Sequence, residues 1–312
     1  MRRALGVSTW VWTSPLTDAA LAEIAPRVRG WGFDTVELPV ERVGDWSPER
    51  AARLLDTEGL SATVALVMGP GRELVAADRA TVAATRDYLR RVVDAAATVG
   101  APVIAGPAYS SVGRTWPMTD RERDTHYAEL VEGLAPVAEY ASAAGVRIAV
   151  EPLNRYETSL LNTVDQASHA LAGLPPETCG IALDLYHMNI EETGLPAAIR
   201  RAGERIGHVQ VSANDRGAPG ADHLDWPAIQ GALDAVGYGG PLVIESFTAG
   251  NATIATAASV WRPLAASQDA LAADGLAFLR GLQGGAVEGD APPRGRGGGN
   301  PHPATSAGNE PT

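Results

Sequence analysis

Two rhythms of apolar positions alternate along this chain. Short apolar runs read as strands at 5–11, 35–38, 62–67, 103–105, 146–151 (VRIAVE), 180–184 (GIALD), 206–210 (IGHVQ) and 242–245 (LVIE). Segments with helical spacing fall between and after them, at 18–31, 48–58, 80–99, 120–144, 164–172, 195–202, 226–236 and 267–282. Gly145 follows the fourth helix where a C-cap glycine belongs. Strict strand–helix alternation predicts a parallel sheet with crossover helices. Eight such units predict an α/β fold, a single-domain (β/α)8 TIM barrel over 1–283. Beyond it, 284–312 is rich in Gly, Pro, Ala and Asn and poor in bulky apolar residues, which predicts a disordered tail.

The last four strands each end on a side chain able to bind a metal: Glu151, Asp184, Gln210 and Glu245, spaced by 33, 26 and 35 residues. That spacing is about one strand-plus-helix unit. The C-terminal ends of parallel barrel strands meet at one mouth, so these four residues should converge. Three carboxylates and an amide oxygen would suit one hard divalent cation, Mn²⁺, Mg²⁺ or Co²⁺, better than a thiolate-loving metal. Taken singly, each acid could instead cap a helix or join an ion pair. The following loops add Glu157, His187 and Arg216 at the same face. Arg216 has a planar fork suited to paired oxygens, although a surface pair with Asp215 would also use it. His187 could equally orient a ligand. Trp10, Trp12 and Trp116 lie near strand ends, where they could face a bound molecule or simply pack in the core. Glu37, within the second strand, reads as structural.

Composition narrows the chemistry. None of the 25 basic residues is a lysine, which excludes Schiff-base aldolases, pyridoxal-phosphate enzymes and Walker-A nucleotidases. The Gly69-Pro70-Gly71-Arg72 turn lacks the spacing of a phosphate loop. A net charge of −12 argues against a nucleic-acid partner. The single cysteine, Cys179, cannot form an internal disulfide and reads as a buried, inert thiol. The N-terminal stretch lacks a signal-peptide pattern and no apolar run is long enough for a bilayer, so the expectation is a cytoplasmic protein with no membrane partner. The length is compatible with a homodimer or a homotetramer.

EPLNRYETSLLNT (151–163), DLYHMNIEE (184–192), GHVQVSANDRGAPG (207–220) and VIESF (243–247) closely resemble the ketose 3-epimerases of the xylose-isomerase-like barrel superfamily. These are the D-tagatose and D-psicose (allulose) 3-epimerases, and the likeness spans 5–282. The resemblance implies metal binding at Glu151, Asp184 and Glu245. It implies sugar contacts at Glu157, His187 and Arg216, with Phe247 as a substrate-lining aromatic. One position departs from the pattern. Gln210 stands where those epimerases carry a histidine ligand, and glutamine there is similar to the hydroxypyruvate isomerases. His208, two residues earlier, would face the same way one layer deeper.

The reaction implied is transfer of the proton next to the carbonyl of a free ketose through a cis-enediolate. Glu151 and Glu245 would act as base and acid on opposite faces. Protonation at the adjacent carbon would give aldose–ketose isomerisation instead. The alternatives are a hydroxypyruvate-type isomerase and an inosose dehydratase-like lyase. A type-2 abasic endonuclease would need more histidines and a basic face. The absence of a basic cluster near the last two strands favours an unphosphorylated sugar as the small-molecule partner.

Overall fold

The computed structural model describes residues 1–284. Eight parallel strands close into a barrel in sequence order. They are β1 (Leu5–Ser8), β2 (Thr35–Val40), β3 (Ser61–Leu66), β4 (Val103–Gly106), β5 (Arg147–Val150), β6 (Cys179–Asp184), β7 (Ile206–Val211) and β8 (Leu242–Ile244). The described helices are α1 (Asp18–Trp31), α2 (Pro48–Glu58), α3 (Arg79–Thr98), α4 (Asp120–Ala143), α5 (Val164–Ala170), α6 (Leu185–Glu191), α7 (Leu195–Ala202), α8 (Trp226–Ala235), α9 (Ala252–Ala257) and α10 (Gln268–Gly284). The last helix runs to Gly284, and the rest of the expected tail lies outside the described residues.

Local chemistry sets these boundaries. Thr17, Ser47, Asp78, Thr119 and Thr163 each accept a first-turn N–H, and Thr119 and Thr163 complete capping boxes with Glu122 and Gln166. Past α4, Gly145 adopts φ 73° while Val146 N–H donates to Ala141 O at 2.8 Å, the reversal that a glycine after a helix allows. β1 is shorter than expected, because the Ser8 side chain caps Trp10 N–H and Thr9–Val11 coil into a 3-10 turn. Two helices escaped the periodicity reading. α6 starts on the strand end itself, with Asp184 as its cap, and α9 is capped by Asn251. α6 follows β6 without a break, so its apolar residues merge with the strand run, and α9 has only six residues.

The alternation of side chains along a strand decides what enters the barrel. Outward residues such as Val36, Leu38, Ile148, Ile181 and Val209 join the main core with helix residues including Leu21, Val92, Leu130 and Ile199. Inward positions divide by chemistry. Val103, Ala105, Ala149 and Ala182 form a cluster of small apolar side chains. On the other side, Glu37, Thr63, His208 and Gln210 are buried and polar. At the opposite end from the site, Arg147 donates to Glu204 O, Arg205 O and Ile206 O. A Cβ on Gly180 would meet Arg205 O at 2.5 Å and Arg147 Nη2 at 2.7 Å, so only glycine fits beneath that guanidinium. Cys179 is buried beside it, and burial pushes its thiol up to about 12, as an inert residue requires.

Candidate active site

β5 and β8 stop one residue before their acids. The backbones remain tethered, Glu151 N–H to Gly106 O at 3.0 Å and Glu245 N–H to Val211 O at 3.1 Å. The carboxyl groups therefore stand just above the sheet at the C-terminal mouth. Glu151, Asp184 and His187 each present a ligand atom, and these lie within 4.8 Å of one another, all buried. Glu245 joins them through Arg216, whose Nη1 bonds Asp184 Oδ2 and also Glu245 Oε2 at 2.8 Å. Gln210 Nε2 donates to Glu245 Oε1 at 2.7 Å and to Glu37 Oε1 at 3.0 Å. Phe247 packs 5.5 Å from Trp10 by ring centroid. Glu157, His187, Arg216 and Phe247 all line the same cavity, together with Glu151, Gln210 and Glu245.

Positioning of Arg216 is costly to the backbone. The residue sits at φ 70°, a left-handed conformation that side chains disfavour, and Ser246 Oγ donates to its carbonyl at 2.6 Å. The guanidinium carbon lies 4.2 Å from the Tyr186 ring and 5.3 Å from that of Phe247. Asp215 takes Arg262 as its partner instead, at 2.7 Å, which leaves Arg216 to the site.

His187 Nδ1 accepts the Asn154 backbone N–H at 3.1 Å. That donor makes Nδ1 an acceptor. Nε2 lies 3.5 Å from Asp184 Oδ2 and 3.6 Å from Glu151 Oε1, with Arg216 Nη2 at 3.1 Å. Both ring nitrogens thus face N–H groups, Nδ1 that of Asn154 and Nε2 that of Arg216, which holds His187 in place beside the two carboxylates. Burial depresses its pKa, in keeping with a neutral ring.

The charges are strongly interdependent. Burial, then the neighbouring Glu245 and Asp184, push Glu151 well above the usual carboxylate range. Glu245 is likewise held well above it by burial, against the pull of Arg216. Asp184 ends below its usual value: burial works to raise it, but the Arg216 guanidinium and the Tyr186 N–H more than offset this. Arg216 is buried yet firmly charged, because Asp184 and Glu245 outweigh its desolvation.

Beneath this layer, Glu37 is fully buried and accepts from Thr63 Oγ1 at 3.1 Å and His208 Nε2 at 2.7 Å as well as from Gln210. Glu37 is not among the residues that line the cavity, and it acts on them through Gln210. The register places His208 opposite Ala182 and Gln210 opposite Asp184, so the histidine is the deeper of the two. Three supporting residues were not singled out from sequence. Asn154 bridges His187 and Glu157, Tyr109 donates to Glu151 O at 3.0 Å, and Ser246 holds Arg216. Of the tryptophans, only Trp10 lines the cavity among the described residues; Trp12 stacks on Trp31 and Trp116 packs against His126.

The donor set fits a hard divalent cation. It offers buried carboxylates in excess of their one guanidinium, plus Gln210 Oε1, a buried amide oxygen without a hydrogen-bond partner.

Residues 26–282 match the xylose isomerase-like TIM barrel family. The chain is 31% identical over 278 residues to the ketose 3-epimerase of Arthrobacter globiformis, covering 88% of this chain and 95% of that one. It is also 31% identical over 277 residues to the L-ribulose 3-epimerase of Mesorhizobium japonicum, covering 88% and 92%. The crystal structure of D-allulose 3-epimerase from Methylomonas sp. in complex with D-allulose is similar at a TM-score of 0.83 and 28% identity, over 89% of this chain and 96% of that one. The chain belongs to the xylose isomerase-like TIM barrel family and, within it, to the isomerase-class enzymes of ketose 3-epimerase type.

Proposed function

We propose that this protein is a divalent-metal-dependent epimerase of free ketoses, with Glu151 and Glu245 exchanging the proton next to the carbonyl. The observation that carries this reading is the arrival of two buried, high-pKa glutamates from β5 and β8 around the Asp184–Arg216 pair. Glu151, Asp184, Glu245 and the Gln210 amide oxygen would hold the cation, which Mn²⁺, Mg²⁺ or Co²⁺ could supply. Once bound, it would stabilise negative charge on the ketone and neighbouring hydroxyl oxygens as a Lewis acid.

The protein's own residues do the rest. One glutamate takes the proton from the carbon beside the ketone, and the other returns a proton on the far face of the planar cis-enediolate, inverting that centre. Burial raises both carboxyl pKa values, which makes each group a stronger base once it is ionised. Arg216 is a donor for the developing negative oxygens. Glu157, held by Asn154, accepts from a sugar hydroxyl, and Phe247 and Trp10 cover C–H faces.

The test is turnover by the purified chain with each of the three metals. Substrates are D-allulose, L-ribulose, other free ketoses and hydroxypyruvate, with products identified by NMR. Interconversion of a ketose with its C3 epimer is the expected result. Turnover of hydroxypyruvate alone would replace this reading with the small-acid isomerase.

A further inference from the structure

The cavity has a second polar pole on its β1 and β2 side, separate from the carboxylates at β5, β6 and β8. Glu41 directly follows β2, and β2 stands opposite β6 in the closed order of strands. Glu41 therefore stands on the side of the mouth opposite β6. One of its oxygens is committed: Oε1 accepts Trp10 Nε1–H at 3.0 Å and the Ser14 hydroxyl at 2.6 Å. Its other oxygen takes no hydrogen bond, and Glu41 forms no ion pair, among the described residues. Both Glu41 and Ser14 line the cavity, where the nearby wall is apolar: Ala65, Val67, Ile254 and Ala258.

A carboxylate pinned by one oxygen and free at the other is an acceptor waiting for a donor. Among the residues lining the cavity, Arg216 is the only guanidinium, and Asp184 and Glu245 already engage it. The chain has no lysine to answer an anion. The guanidinium behind that wall, Arg72, is committed to Val67 O and the Tyr88 ring and does not line the cavity, so a phosphate or carboxylate at that end would meet the Glu41 carboxylate, whereas a hydroxyl would gain a charge-assisted hydrogen bond.

We infer that Glu41 is a specificity-determining residue: its free oxygen receives the terminal hydroxyl of the ketose and excludes sugars that carry an anionic group there. This rests on the proposed epimerase reading and names the end of the substrate that reading leaves open.

The experiment compares wild type with Glu41→Gln in the metal-loaded full chain, on a ketohexose, its 6-deoxy form and its 6-phosphate. The amide of Glu41→Gln keeps an oxygen for Trp10 and Ser14, and an unchanged melting temperature verifies that the loop is intact. Glu41→Gln should lower kcat/KM for the ketohexose by about tenfold, mainly through KM. The 6-deoxy sugar should lose far less, and the wild-type preference for the free sugar over its 6-phosphate should shrink by about tenfold. Equal losses on the ketohexose and its 6-deoxy form would overturn the assignment. So would wild-type turnover of the 6-phosphate as efficient as that of the free sugar. If wild type turned over no ketose, the epimerase reading would fail, and calorimetric binding of the same three sugars would still judge Glu41. The same contrast in affinity supports it, and equal binding by both proteins refutes it.

Discussion

Gln210 Nε2 lies 2.7 Å from Glu245 Oε1, and its second hydrogen points to Glu37 Oε1 at 3.0 Å. Two carboxylates thus use both amide hydrogens, which fixes the orientation of a group that could otherwise flip. The amide oxygen is turned away from both acids and left free for a ligand. Replacement by a hydrocarbon of similar size tests this. Gln210→Leu should destabilise the metal-free protein by about 2 kcal/mol, since two buried acceptors lose their donor. It should also weaken divalent-metal binding. Thermal unfolding with and without Mn²⁺ measures both, and an undiminished Mn²⁺-induced shift would remove Gln210 from the ligand set.

If Glu151 and Glu245 each serve one face of the substrate, neither can be spared. Glu151→Gln and Glu245→Gln should each lower epimerisation by about 10³-fold or more. In deuterated buffer, each variant should still wash the proton out of one C3 epimer but not the other, read by NMR. Exchange into both epimers by a single variant would show that one glutamate works on both faces.

The raised pKa values of Glu151 and Glu245 set a sign for pH dependence. Each folded carboxyl binds its proton more tightly than the unfolded chain does, so protonation favours the fold. In the metal-free protein this contribution is fully present below about 4.5, the unfolded value. It is lost as pH rises towards the raised folded values. A cation needs the same groups ionised, so metal binding should release protons at mildly acidic pH, and the release should shrink as pH passes those values. Calorimetry in buffers of differing ionisation enthalpy counts the protons. No release between pH 5 and 7 would contradict the arrangement.

Asn154 touches no reacting atom, yet it anchors two residues that should. Its backbone N–H donates to His187 Nδ1 and its side chain reaches both His187 and Glu157. Asn154→Ala should cost about 10- to 100-fold in kcat/KM while leaving the fold intact. The backbone donor survives the substitution, so the kcat–pH profile should keep its shape. A loss below twofold would show that packing alone holds the two side chains.

Much of the site could be read from the chain because strands alternate by two residues. Glu151 shares parity with Ala149, Asp184 with Ala182, and Gln210 with His208, so a correct strand assignment already sends all three inward. The depth order of His208 and Gln210 follows from the same rule. Short elements were harder to see. α6 continues directly from β6 and so hides in the strand run, and α9 has only six residues, although α6 carries His187 and α9 borders the cavity.

What the sequence determined by itself was the barrel, its inward-facing acids and the chemistry those acids favour, because local periodicity and strand parity are properties of neighbours along the chain. Contacts between distant loops were decided only by closure of the barrel. Asn154 meets His187, Ser246 meets Arg216, Glu37 meets Gln210, and Glu41 meets Trp10 and Ser14. Each joins residues from different strand ends, whose separation and facing depend on how eight twisted strands meet. No local pattern encodes that geometry.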